Sequence, residues 1–169
     1  MLKKFTKSID ILNEATGKIF SWTVVVLNLL VVLEVVLRYV FNSPTIWNFE
    51  ITKQVFALHF MITAGYGLLH NEHVSIDLVY IKLNKTAQNI LDIITYLIFF
   101  FPFVGIIFFH GIRFAGNSWA ELEKTTSVFG SPLFIIKTVI PVSALLLLLQ
   151  GVNIFINRIS YFFERKTSV

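Results

Sequence analysis

The stretch IFSWTVVVLNLLVVLEVVLRYVF, running from Ile19 to Phe41 directly after Lys18, decides the fold of this chain. A hydrocarbon core of about 30 Å needs roughly 20 apolar residues at 1.5 Å each, so a helix over residues 18–41 can cross a membrane. Three more such runs follow, at about Trp47–Leu69, Leu91–Phe114 and Leu133–Ile159. The third contains the aromatic stretch Tyr96–Phe103 and the fourth contains Leu145–Leu149. Connections are short except for Gly116–Ser131, which leaves no room for a separate soluble domain. The expectation is an all-α integral membrane protein with four transmembrane helices in a single domain over residues 1–169.

Composition points the same way. The chain is 56% hydrophobic and 14% charged, whereas a soluble domain is about 45–50% apolar and about 25% charged. With a mean hydropathy of +0.75 and 18 phenylalanines, the excess apolar surface calls for lipid as its solvent. Cysteine is absent, which excludes disulfides, thiolate metal sites and thiol nucleophiles. The 14 Lys and Arg lie scattered between apolar runs. That pattern is an orientation signal and not a nucleic-acid stripe, so no nucleic acid is expected as a partner.

The first run is too long for a signal-peptide core of 7–15 residues, and Phe41-Asn42-Ser43-Pro44 follows it where a small-residue cleavage site would stand. It reads as a retained signal anchor. Nine cations fall on one side of the spans: Lys3, Lys4, Lys7, Lys18, Lys82, Lys85, Arg158, Arg165 and Lys166. Five fall on the other: Arg38, Lys53, Arg113, Lys124 and Lys137. The positive-inside rule places both termini in the cytoplasm, with Asn42–Ile46 and Gly116–Ser131 facing outward. Ahead of the first span, Leu2, Phe5, Ile9 and Leu12 recur at helical spacing opposite Lys3, Lys4, Lys7, Asp10 and Glu14. Residues 2–16 are therefore expected to form an amphipathic helix in the cytoplasmic lipid interface.

Ionisable residues inside spans are the default functional candidates. Glu34 and Arg38 stand one turn apart in the first span, and Glu50 and Lys53 lie near the outer end of the second. The short connection through Pro44 makes these helices antiparallel neighbours, so the four residues are expected as one cluster near the outer boundary. A proton or cation relay through Glu34 needs further acids along a path, and the spans carry only Asn28, His59 or Gln150 at mid-depth. An ion-paired brace is the simpler reading. Two histidines at one depth could ligate a haem, but His59 is near mid-membrane, His110 near the outer end, and His70 and His73 at the cytoplasmic end. His70, Glu72, His73 and Asp77 make a weak zinc pattern without thiolates. No phosphate-cradling loop, G-x-S-x-G or HExxH is present. No paired repeat of broken helices, as a secondary transporter would use, is visible either. Gly65-Tyr66-Gly67 reads as a close-packing site and Pro141 as a single kink. No enzymatic activity and no cofactor are expected.

Arg38-Tyr39-Val40-Phe41-Asn42, Trp47 with Glu50 three residues on, Gly65, and His73-Val74-Ser75-Ile76-Asp77 together resemble the small, DctQ-like membrane subunit of tripartite ATP-independent periplasmic (TRAP) transporters. Pro132, Pro141 and Gln150 resemble that family too. The resemblance implies a non-catalytic subunit of a sodium-driven transporter for organic anions, such as sialic acid or a C4-dicarboxylate, in the bacterial inner membrane. Its implied partners are a large elevator-type membrane subunit, whose scaffold it braces, a periplasmic substrate-binding protein, and lipid. By the same resemblance Arg38, Trp47 and Glu50 brace the outer end of the first hairpin, while His73 and Asp77 structure the cytoplasmic turn. Ser118-x-x-Glu121 has the form of a capping box. A short outward helix carrying Trp119, Glu121, Glu123 and Lys124 is expected there, placed to touch the binding protein. Phe99-Phe100-Phe101 and Phe108-Phe109 offer surface to a partner or to lipid. The alternatives are a haem-bearing cytochrome-type subunit and a small self-assembling channel.

Overall fold

The computed structural model describes residues 2–70 and 83–167. The helices are α1 (Leu2–Ser21), α2 (Thr23–Tyr39), α3 (Asn48–Leu69), α4 (Lys85–Thr95), α5 (Phe101–Ala120) and α6 (Leu133–Thr167). A π-helical turn, Tyr96–Phe100, joins α4 to α5. Among the described residues the one departure from helix and loop is an isolated bridge between Lys124 and Pro132.

Trp22 alone separates α1 from α2, and its φ of −64° and ψ of −18° are still helical. The joint is held from outside: the Thr23 hydroxyl donates to the Phe20 carbonyl, and His59 Nδ1 lies 2.8 Å from that hydroxyl and 3.2 Å from the same carbonyl. The π turn has a local cause in Pro102, which lacks an N–H and whose ring would clash with the carbonyl of Ile98 in a regular helix. The preceding turn widens, so that the Phe101 N–H reaches the Tyr96 carbonyl five residues back. Phe100 thereby lies on Gly151 of α6, where a Cβ would stand 2.1 Å from its ring.

The long helices stand side by side in the order α2, α3, α6, α5, with α1 against α3 and α6 and with α4 against α6. Loops 40–47 and 121–132 lie at one end of this row, the loop end, and α1's start and α6's finish lie at the other, the terminal end. A compact chain of 19.4 kDa would expose about 8,500 Å²; this one exposes 11814 Å², as a single layer of helices must. Few apolar side chains are buried, among them Ile9, Leu27, Ile62, Val104 and Leu146.

Three stretches are long and apolar enough to cross a membrane: Thr6–Tyr39, Thr86–Ala120 and Leu133–Ser160. The expected second span forms α3, but α3 is not among them, because Asn48, Glu50, Lys53, Gln54 and His59 interrupt its apolar residues. It stands inside the row, where most of these polar groups meet neighbouring helices or loops. Helix α1 continues past residues 16–18 without a break and runs into α2. The face of α1 turned to the protein is Ile9, Asn13 and Gly17, while Leu12 of the expected apolar stripe is exposed.

Candidate functional site, a polar brace at the loop end

At the start of α3, Asn48 is buried and donates to the Leu30 carbonyl of α2 at 2.9 Å, and it accepts from Thr52 one turn on. Glu50, also buried, faces away from α2. Its carboxylate accepts the Thr125 hydroxyl at 2.7 Å and the Ser131 N–H at 3.3 Å. One turn deeper, Gln54 donates to Ser131 Oγ at 2.8 Å and to the Pro132 carbonyl at 3.2 Å. Residues 125–131 are thus fastened to α3 through side chains of one helical face, because positions four apart point the same way.

The loop supplies its own frame. The Thr125 N–H donates to the Ser131 carbonyl and the Leu133 N–H to the Glu123 carbonyl, both at 2.9 Å. Gly130 takes a φ of +65°, which closes the turn and which a residue without Cβ adopts at no steric cost. Leu122 has a φ of +44°, a conformation uncommon for a branched side chain. Glu123 pairs with Lys137 of α6, and the Lys137 ammonium lies 4.0 Å from the centre of the Phe114 ring. The ammonium beside it holds the Glu123 carboxyl below the usual carboxylate range. Trp119 donates to the Thr138 hydroxyl at 2.8 Å and packs on Phe134.

Of the four residues expected as one cluster, the structure joins only two. Arg38 pairs with Glu34 at 2.8 Å, and Thr45 donates to the other Glu34 oxygen. An open cleft of about 270 Å³ between α2 and α3 is lined by this pair with Val31, Tyr39 and Phe49. Glu50 belongs to the loop, and Lys53 lies 4.5 Å over the Phe49 ring. Trp47 caps α3, its carbonyl accepting the Ile51 N–H. The capping-box expectation is overturned: α5 continues to Ala120, so Ser118 is a buried residue of its last turn and begins no new helix. Glu121 and Lys124 are exposed, whereas Trp119 and Glu123 are engaged within the chain. His73 and Asp77 lie outside the described residues.

Sequence reasoning missed a second polar group at the terminal end. Asn13 of α1 donates to Gln150 of α6 at 3.0 Å. Gln150 donates to Asp10 at 3.1 Å, and Asn153 donates to the same carboxylate oxygen at 2.5 Å. Asn13, Gln150 and Asn153 are each no more than 1% exposed. The available clue was the spacing of Gln150, Asn153 and Asn157 on one face of an otherwise apolar helix. Nearby, Glu14 joins Lys18 and His70 at 2.9 and 2.8 Å. Arg158 joins Asp92 of α4 at 3.4 Å.

His59 is engaged with Thr23 and Phe20. Among the described residues no group of three or more His, Asp or Glu could hold a metal ion. A protein-family profile described as the DctQ component of tripartite ATP-independent periplasmic transporters matches residues 27–160. The chain belongs to the DctQ family. It is a small membrane subunit of a transporter whose other parts are a large membrane subunit and a periplasmic binding protein. In DctQ terms the loop-end brace lies wholly within the matched region, which begins inside α2 and ends inside α6. Helix α1, with half of the buried amide group, precedes it. No curated protein matches the chain.

Proposed function

We propose that this DctQ chain is a non-catalytic scaffold for the large subunit of a sodium-driven transporter of organic anions such as sialic acid or C4-dicarboxylates. In this reading α3 is a fourth transmembrane helix, sheltered from lipid along its polar side. Both termini lie in the cytoplasm of a bacterium's inner membrane, α1 enters the bundle from the cytoplasmic lipid interface, and the loop end faces the periplasm.

The observation that carries the reading is that the three acids inside the expected spans, Glu34, Glu50 and Asp92, are committed to ties within the chain, Asp92 to Arg158. Glu34 holds Arg38 and Thr45, and Glu50 holds the 125–131 loop. Carboxylates used as braces fix helices and loops; a relay needs them free to exchange protons or ions. The flanks support the same division of labour. Leu27 is the one buried residue of α2, whereas 33% of the most apolar window of α6 is buried, so α2 has surface to give to a partner. Arg38, Trp47 and Glu50 then brace the outer hairpin, and His73 and Asp77 the cytoplasmic turn. Glu121 and Lys124, with Trp119 and Glu123 behind them, are placed to meet the binding protein.

Gentle extraction of the tagged chain is expected to bring a large multi-span protein with it. The pair plus binding protein should take up an organic anion with sodium, and the chain reconstituted alone should pass nothing. Recovery of the chain without any such partner, or flux from the chain alone, overturns the proposal.

A further inference from the structure

Helix α5 forms one flank of the row and turns a single side to α6, through Val104, Gly111, Ala115 and Ser118. The opposite side carries Ile106, Phe109, Arg113 and Asn117, each exposed. Arg113 stands at its centre, facing away from the rest of the protein. Every other arginine with a described side chain has an acidic partner: Arg38 has Glu34 and Arg158 has Asp92. Arg113 has none among the described residues, and His110, one turn before it, has none either. An open recess of about 350 Å³ lies against these two, bounded also by Phe109 and Ile112.

Depth makes the missing partner significant. Arg113 is seven residues short of Ala120, which ends α5, so its Cα lies about 10 Å below the helix end at 1.5 Å per residue. Side chains of a helix lean toward its N-terminus, which here means away from the loop end, so the guanidinium starts out directed into the apolar layer. A charge at that depth calls for a counter-charge drawn down to it. One turn before Phe109, Gly105 has open space around its Cα, leaving a furrow along the helix below the two basic side chains.

We propose that Arg113 and His110 form a binding site for one anionic phospholipid in the loop-end leaflet. The headgroup phosphate accepts from the guanidinium and the imidazole, and an acyl chain lies along Gly105 and Phe109. The guanidinium offers two parallel N–H donors that suit a phosphate. The surrounding face, with Ile106 60% and Phe109 69% exposed, suits a chain of methylenes. The proposal rests on α5 crossing the membrane and does not depend on the scaffold reading.

The test is native mass spectrometry of the full chain released from nanodiscs that contain equal phosphatidylglycerol and phosphatidylcholine. Retained phosphatidylglycerol is expected on the wild type, with about a fivefold loss in Arg113→Gln, the scale of one basic residue at an anionic surface. His110→Ala should lose less, and Lys53→Gln should lose nothing. Both α5 substitutions lie on an exposed face, so unchanged helical circular dichroism and an unchanged melting temperature are expected of them. Equal retention by Arg113→Gln and wild type overturns the proposal, as does equal retention of the two lipids by the wild type. It also fails if Arg113→Gln keeps its lipid and instead releases the large subunit on co-purification, because the cation then serves a protein interface. Loss of lipid with the large subunit still bound supports it.

Discussion

At Gly65 the side chain is missing because an amide from another helix occupies its place: a Cβ there would stand 2.2 Å from Asn13 Oδ1. Gly65→Ala should therefore destabilise the protein by about 1–3 kcal/mol, the usual cost of overpacking. Thermal unfolding in detergent measures this, and Asn13→Ala in the same chain should recover part of the loss, since residues in contact are not additive. Gln150→Leu keeps the bulk but removes the acceptor that α6 offers the Asn13 amide and one of the two amide donors to Asp10, leaving Asn153 as the other. A loss of about 1–3 kcal/mol is expected, as for other buried groups deprived of partners; an unchanged unfolding midpoint contradicts the network's role. Gly65 was legible from the sequence as a close-packing site, but its counterpart Asn13 was not. Helical periodicity separates apolar from polar faces, and for a helix in lipid both the lipid side and the protein side are apolar. What marked the protein side of α1 was an amide between an isoleucine and a glycine, a pattern that no rule of amphipathicity weighs.

Among the elements, the loop after α5 departs furthest from expectation. Ser118, Glu121 and their spacing had the form of a helix start, yet the same residues finish a helix already under way. A three-residue spacing carries no direction, and the apolar run that set the expected end of the span at Phe114 stops two turns before the backbone does. The loop's ties give it a pH dependence. Glu123 has its carboxyl lowered by Lys137, so its contribution is fully present above the unfolded value, about 4.3 for a glutamate. It is lost as pH falls through the lower folded value. Protease cleavage within 121–132 should be slow and flat from pH 8 to about 5 and should quicken below about 4. Glu123→Gln should cleave faster at neutral pH and lose that dependence. Glu50→Ala releases Thr125 and Ser131 together and should speed cleavage of the same loop at every pH; an intact, uncut loop in this variant contradicts the brace.

On the scale of the whole molecule, the sequence made legible the helical class and the presence of stretches apolar enough to cross a membrane, because apolar run length depends on bilayer thickness alone. The order of helices in the row was not legible, because it is fixed by a few close approaches such as Phe100 on Gly151 and Gly111 beside Pro141. The absence of native cysteine makes that order easy to test. Thr23→Cys with His59→Cys, whose native side chains touch, should join through a short bifunctional reagent. Leu29→Cys on α2 with Phe109→Cys on α5 should not, and efficient joining of that second pair would mean that the row closes into a bundle.

A single layer of helices has two broad sides and no interior to speak of, so the pressures on its residues divide by side more than by depth. Positions that meet only acyl chains are asked for greasiness and little else. Along such a side Val, Ile, Leu and Phe should trade places freely between descendants of one ancestral chain, while any side that meets another protein keeps its shapes. A saturation library scored for uptake would draw that boundary residue by residue on α2 and α5, and so reveal which edge of the row a partner grips.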